Sequence, residues 1–322
     1  MSLSQMQVFN EYVMPATIET LAQRVELFNE ASNGSIRLTT EGFDGDFLQE
    51  SFFAAIHSAQ RRVDRYASNG AAGTTNLTEV KQSSVKVAGG FGPIIYEPSQ
   101  LTWLNRPTAE GIEVASRNFA EAMLQDQLNS AIAALVAAIE NNASVTNDVS
   151  GSAGISYSAM NGAHAKFGDH SMSIAANVMR GADYHKLVDQ NLANSGRLFE
   201  AKGVLVVDVL GKAVVVTDAP ALYEAGTPNK NKVLGLVEGA ASVHDAGDMT
   251  SNIETTNGKE RIETSMQVDY DFGLGLKGYT WDEANGGKSP TDAELATGTN
   301  WDKTATSDKH TAGVIAIGDA DQ

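Results

Sequence analysis

The chain has 322 residues, of which 42% are hydrophobic and 20% charged, enough for one large folded domain or two smaller ones. Its 40 Asp and Glu outweigh 23 Lys and Arg, giving a formal net charge of −17. That balance excludes a general basic surface for nucleic acid, and the absence of cysteine excludes disulfides and thiolate metal sites.

The acid is uneven: residues 217–322 hold 18 Asp and Glu against 8 Lys and Arg, a balance of −10, which leaves −7 for residues 1–216. A solvated acidic face is the simplest account of it. No apolar run approaches the roughly 18–20 residues that cross a bilayer. Glu11 and Glu19 interrupt the basic-then-apolar order of an export signal.

In chain order, Val8 to Asn29 predicts an amphipathic helix that Pro15 breaks or restarts and Asn33-Gly34 stops. Ser35 to Thr40 predicts a short strand, Gly42 to Gly45 a turn, and Phe47 to Tyr66 a second helix carrying Phe52, Phe53 and Ile56. The small polar run Ala67 to Asn76 predicts a mobile loop. Two alternating runs, Val80 to Val87 and Pro93 to Leu104, flank Gly89, Gly90 and Gly92, a pattern that predicts a β-hairpin. A lone two-stranded ribbon is marginal in water, so its stability must come from a neighbour.

Pro107-Thr108 then opens an unusually long helix to Asn141, with Thr108 as N-cap. Ile112, Ala115, Phe119, Met123, Leu128, Ile132, Leu135 and Ile139 keep to one stripe along it. Helix and strand alternate next: Tyr157 to Phe167 helical, Met172 to Met179 strand, Asp183 to Leu192 helical, then β-branched runs Gly203 to Leu210 and Lys212 to Thr217 about Gly211. Val233 to Val243 and Ile262 to Leu276 add strand. The acidic tail from Trp281 to His310 ends in a short strand, Ala312 to Ile317. The expected class is α+β.

Little here can do chemistry. Gly273-Leu274-Gly275-Leu276-Lys277-Gly278 matches G-x-G-x-x-G, but no helix and no βαβ unit follow, so the glycines are read as strand residues passing close to a neighbour. His57, His164, His170, His185, His244 and His310 form no i, i+4 pair for a metal. No serine sits in a G-x-S-x-G elbow, and Asp269 with Asp271, or Asp282 with Glu283, are the pairs an acidic chain yields by solvation. No residue is assigned a catalytic, cofactor-binding or metal-binding role, and no cofactor is expected.

Several stretches together resemble the major capsid protein of tailed bacteriophages, the Hong Kong 97-type fold. Phe28 to Ile36, Gly45-Asp46-Phe47 and Ser51-Phe52-Phe53 are similar to the arm region of one subfamily. Ile174 to Met179 with Tyr184 to Leu187, and Lys212 to Pro220, resemble the apical domain. Asn300-Trp301 before a final strand also fits, so the resemblance spans nearly the whole chain.

The resemblance implies an N-terminal arm (1–50) and a peripheral domain (51–149) with an extended loop at about 75–105 and a spine helix at 107–141. An apical domain (150–270) and closing peripheral strands (271–322) complete the chain. It implies self-assembly into hexamers and pentamers around double-stranded DNA, bound without sequence specificity and placed in the virion. A separate scaffolding protein, a portal and a decoration protein are the expected partners, and no membrane is. Some relatives crosslink a loop lysine; Lys81 and Lys86 lie in the ribbon and are read as solubilising charges. An encapsulin-like nanocompartment shell and a dinucleotide-binding α/β enzyme are the alternatives.

Overall fold

The computed structural model describes residues 14–39, 47–53, 61–66, 68, 70–71, 79–96, 109–194, 211–258, 260 and 262–322. Outside them lie the predicted helix start at Val8, the Gly42 to Gly45 turn, the Thr108 cap, the Gly203 to Leu210 run and His57.

Helix α1 (Met14–Ala31) begins with Pro15 in its first turn, where the missing amide is no loss. It ends where Asn33 and Gly34 take φ of 51° and 66°. That left-handed turn lets Gly34 N–H return to the Asn29 carbonyl at 2.9 Å. The Asn29 side chain brackets the next strand, β1 (Ile36–Thr39), giving a bond to Leu38 O at 2.8 Å and taking one from Leu38 N at 3.0 Å.

Strands β2 (Phe47–Phe53) and β3 (Glu79–Tyr96) pair antiparallel, Phe47 opposite Val85 and Phe53 opposite Glu79. Two predictions change here. The predicted helix from Phe47 to Tyr66 is a strand at its start, and residues 61–66 are not helical. The aromatic-rich Phe-Leu-Gln-Glu-Ser-Phe-Phe follows strand propensity once a partner edge is present. Over its described residues the predicted hairpin about the glycine cluster is one continuous strand, paired with β2 along its first half and with a later strand along its second.

The glycines serve close approach, not turning. A Cβ at Gly89 would stand 3.0 Å from the Tyr270 ring, and one at Gly90 would stand 2.9 Å from the Val268 carbonyl.

Helix α2 (Ala109–Glu140) runs 32 residues, about 48 Å at roughly 1.5 Å per residue. In its first described half one side is covered, with Ala120, Met123 and Gln127 buried. From Ser130 to Ile139 nearly every residue is buried, because strands and turns close on it from several sides. One premise of the sequence reading changes: Arg117–Glu140 is a run long and apolar enough by composition to cross a bilayer, with 56% of that window buried inside the protein. Past the C-terminus of α2 stands Thr146, whose single hydroxyl proton is shared between Ile139 O at 3.1 Å and Asn142 O at 3.0 Å.

Beyond it come β4 (Thr146–Asp148), α3 (Tyr157–Ala165, capped by Ser156), β5 (Ile174–Met179), α4 (Gly181–Asn194) and β6 (Ala213–Val216). Next are β7 (Tyr223–Glu224), β8 (Lys230–Val237), β9 (Ala241–Thr256) and β10 (Glu263–Leu276). The chain closes through β11 (Tyr279–Trp281), α5 (Asp292–Leu295), β12 (Trp301–Lys303) and β13 (Gly313–Asp319).

Two large sheets flank α2. One has the order β1-β9-β10-β3-β2, and the other β4-β13-β8-β5-β6 with β7 beside β8. The stretch Val233 to Val243, read as strand, is two strands in different sheets, separated by the turn at Glu238-Gly239. The boundary expected at residue 270 falls inside β10. The last strand enters the second sheet centrally, between β4 and β8, and all seven of its residues are buried.

Trp281 and Trp301 face each other across β11 and β12, ring centroids 4.9 Å apart, and each indole N–H reaches a backbone carbonyl. They anchor the acidic tail beside the buried half of α2.

Candidate assembly surfaces

The residues singled out for chemistry do structural work. Gly273 and Gly275 lie inside β10, and Gly278, at φ 77°, turns the chain into β11, so the glycine motif is strand–turn–strand. His164 is buried, its Nε2 3.0 Å from Asn177 Oδ1, and burial lowers its pKa. His170 meets His310 edge-on at 5.6 Å, a pairing that their sequence separation hides. His244 contacts Thr39 at 3.0 Å. Among the described residues no group of three or more His, Asp or Glu converges as a metal site.

The acidic pairs separate too. Asp271 takes an ion pair from Lys86 at 3.1 Å, while Asp269 accepts from the Gln267 amide. Asp282 accepts from the Ala284 N–H, and Glu283 meets Lys81 and Ser83, each at 3.1 Å. Both ribbon lysines are thus engaged within the subunit.

Sequence reading missed a buried lysine. Lys232 on β8 is 8% exposed, with its ammonium 2.7 Å from Glu140 at the end of α2 and 2.8 Å from Glu224 on β7. Burial opposes the ammonium, but the two carboxylates outweigh it and raise the Lys232 pKa; the same bond lowers that of Glu224. No motif marks such a lysine, because its partners lie 92 and 8 residues away in sequence. Nearby, Arg180 stacks 4.9 Å over Tyr223 and donates to Asn231, which donates to buried Asp183 at 2.6 Å.

The surface itself is uneven. The outer part of β3, paired there with β10, is open on both faces among the described residues: Ile94 is 47% and its neighbour Ile95 60% exposed, although adjacent strand residues point to opposite sides. Ile262, just before the paired β10, is 55% exposed. These three isoleucines leave apolar surface open at one end of the β3–β10 pair.

Matching against protein families assigns residues 5–315 to Gp13-like, described as Major capsid protein 13-like. The chain belongs to this family of major capsid proteins. Its fold is shared with solved phage capsids. The Cyanophage Pam1 capsid asymmetric unit aligns at a TM-score of 0.52 and 13% identity, over 88% of each chain. A Mycobacterium phage Adephagia structure aligns at 0.51 and 12%, over 90% of this chain and 88% of that one. A Mycobacterium phage Cain structure aligns at 0.50 and 10%, over 90% and 89%. No curated protein matches the chain.

As a major capsid protein it is a structural subunit of a phage head shell and not an enzyme, and its place is the virion capsid. The dinucleotide-enzyme and nanocompartment readings are not favoured by this family. Within the capsid subunit, the Lys232 junction ties the end of the long helix to the second sheet, and the Trp pair ties the tail to the same helix.

Proposed function

We propose that the subunit forms hexamers and pentamers of an icosahedral head enclosing the double-stranded DNA of a tailed phage. The observation that carries this reading is the outer end of the β3–β10 pair, where Ile94, Ile95 and Ile262 are exposed and would gain burial against a second molecule. Obligate contacts of this sort bury roughly 2,000–5,000 Å².

The working parts follow the sheets. The long helix with the five-stranded sheet corresponds to the spine and peripheral domain, including β9 and β10. The six-stranded sheet with α3 and α4 corresponds to the apical domain, and the ribbon of β2 and β3 to the extended loop. Residues up to about 50 supply the arm. A net charge of −17 suits a wall along which packaged DNA slides, since few cations hold phosphate. A separate scaffolding protein, a portal and a decoration protein complete the proposed set of partners.

Negative-stain microscopy of the full chain, expressed with the other head proteins, tests the reading. Closed shells or capsomer rings are expected, and Ile95→Asp is expected to reduce them while leaving the subunit's circular dichroism unchanged. A compact, heat-stable monomer, or tight salt-independent binding of free DNA by the subunit, contradicts it.

A further inference from the structure

His170 and His310 are the two described histidines whose rings meet each other, with centroids 5.6 Å apart and planes at 83°. Both are exposed. His170 lies in the turn Gly168–Ser173 before β5, and His310 closes the turn Asp308–His310 before β13. The residues just ahead of them pair in step, Asp169 with Lys309. Two consecutive cross-contacts hold the turns side by side, so the backbone sets the spacing of the imidazoles.

Each turn is itself anchored. His170 N–H bonds the carbonyl of fully buried Phe167 at 3.1 Å, and His310 N–H bonds Ser307 O at 3.1 Å. Asn142, just past α2, donates to Asp308 at 3.0 Å, and Lys303 pairs with the same carboxylate. Rigid turns carrying exposed imidazoles are a prepared ligand pair.

The spacing matches one shared ion. Two imidazole nitrogens at zinc-ligand distance, with a near-tetrahedral angle between them, place their ring centroids roughly 5–6 Å apart. Rotation about the exposed side-chain bonds therefore brings one nitrogen of each ring to a common point. Among the described residues no third His, Asp or Glu joins them as a ligand group, and Asp169 and Asp308 are held by Lys309 and Lys303. Water is left to fill the remaining positions. Imidazole donors favour zinc, nickel and copper over calcium and magnesium.

We propose that His170 and His310 together bind one divalent cation of the zinc, nickel or copper class, with water completing its coordination. In the second sheet β8 separates β5 from β13, and Ile174 and Gly313 lie opposite Val237 and Leu236 at the end of β8. There the chain leaves for the first sheet through Gly239, at φ 67°. The ion spans the two strands that flank β8 where the sheets join, and braces that joint. This site belongs to the folded subunit and stands apart from how copies assemble.

Zinc chloride titrated calorimetrically into the full chain, purified without a histidine tag in a non-coordinating buffer, tests it. Saturable binding of one ion per subunit is expected. His170→Gln and His310→Gln are each expected to weaken it by at least about tenfold. His185→Gln, which alters an exposed histidine on α4, is expected to leave it unchanged. Zinc is also expected to raise the thermal unfolding temperature of the parent and not that of H170Q/H310Q, whose circular dichroism should match the parent's. Absence of saturable zinc binding overturns the proposal. So does binding that survives in H170Q/H310Q, that is lost in H185Q, or that calcium reproduces equally, which assigns it to the acidic surface.

Discussion

Lys232→Met removes the ammonium that joins the end of α2 to β7 and β8, while methionine keeps most of the buried stem. The lysine is 8% exposed; Glu140 and Glu224 are 32% and 48% exposed. A hydrogen bond to a charged group contributes about 1.5–3 kcal/mol when shielded, and an exposed ion pair only about 0.2–1 kcal/mol. Glu140 falls near the bottom of the first range and half-exposed Glu224 in the second. The orphaned carboxylates also face each other without a cation between them. The expected cost is therefore about 2–3 kcal/mol.

Urea unfolding of the dissociated subunit, read by tryptophan fluorescence, measures it, since Trp281 and Trp301 pack beside the buried half of α2. The pH dependence has a definite sign. Glu224 is lowered from 4.5, so its contribution is present above that value and is lost as pH falls through the lower folded one. Lys232 is raised from 10.5, so its contribution is complete below that value and is lost as pH rises through the higher folded one. The gap between parent and variant should stay flat from about pH 5 to 10 and close in acid. A loss below about 0.5 kcal/mol at pH 7, or one that does not shrink as pH falls progressively below 4.5, would refute the junction as a stabilising contact.

Two further substitutions probe other parts of the fold. Gly90→Ala places a methyl group against the Val268 carbonyl and Asp269, so a cost of about 1–3 kcal/mol is expected in thermal unfolding; no change would mean that β3 and β10 are not so closely paired. Asp183 is fully buried with its pKa raised by that burial, so its charge detracts from stability as pH rises above 3.8 through the folded value. Asp183→Asn should therefore unfold at higher urea than the parent at pH 7 and lose that advantage near pH 3, and an advantage independent of pH would contradict the assignment.

The long helix was readable because its information is local. Thirty-two residues without proline and rich in Ala, Glu, Leu and Gln favour a helix by local propensity, although the expected single apolar stripe changes face between Met123 and Leu128, as suits a helix buried nearly all round in its second half. The stop at Asn33-Gly34 and the apolar run of the final strand were local in the same sense. The order of these parts also sufficed for the capsid resemblance, which the family match bears out.

Partnership across the chain is a different kind of information. Phe47 to Phe53 is a strand because Val85 to Glu79 lies alongside, and Gly89 and Gly90 sit in a strand because the Tyr270 ring and the Val268 carbonyl need the room. Lys232 is buried because two carboxylates, one of them 92 residues distant, converge on it. Backbone propensity and side-chain period are set by near neighbours in the chain. Strand pairing, close approach and the neutralising of a buried charge are set by whatever folding brings alongside, and only the tertiary structure decides that.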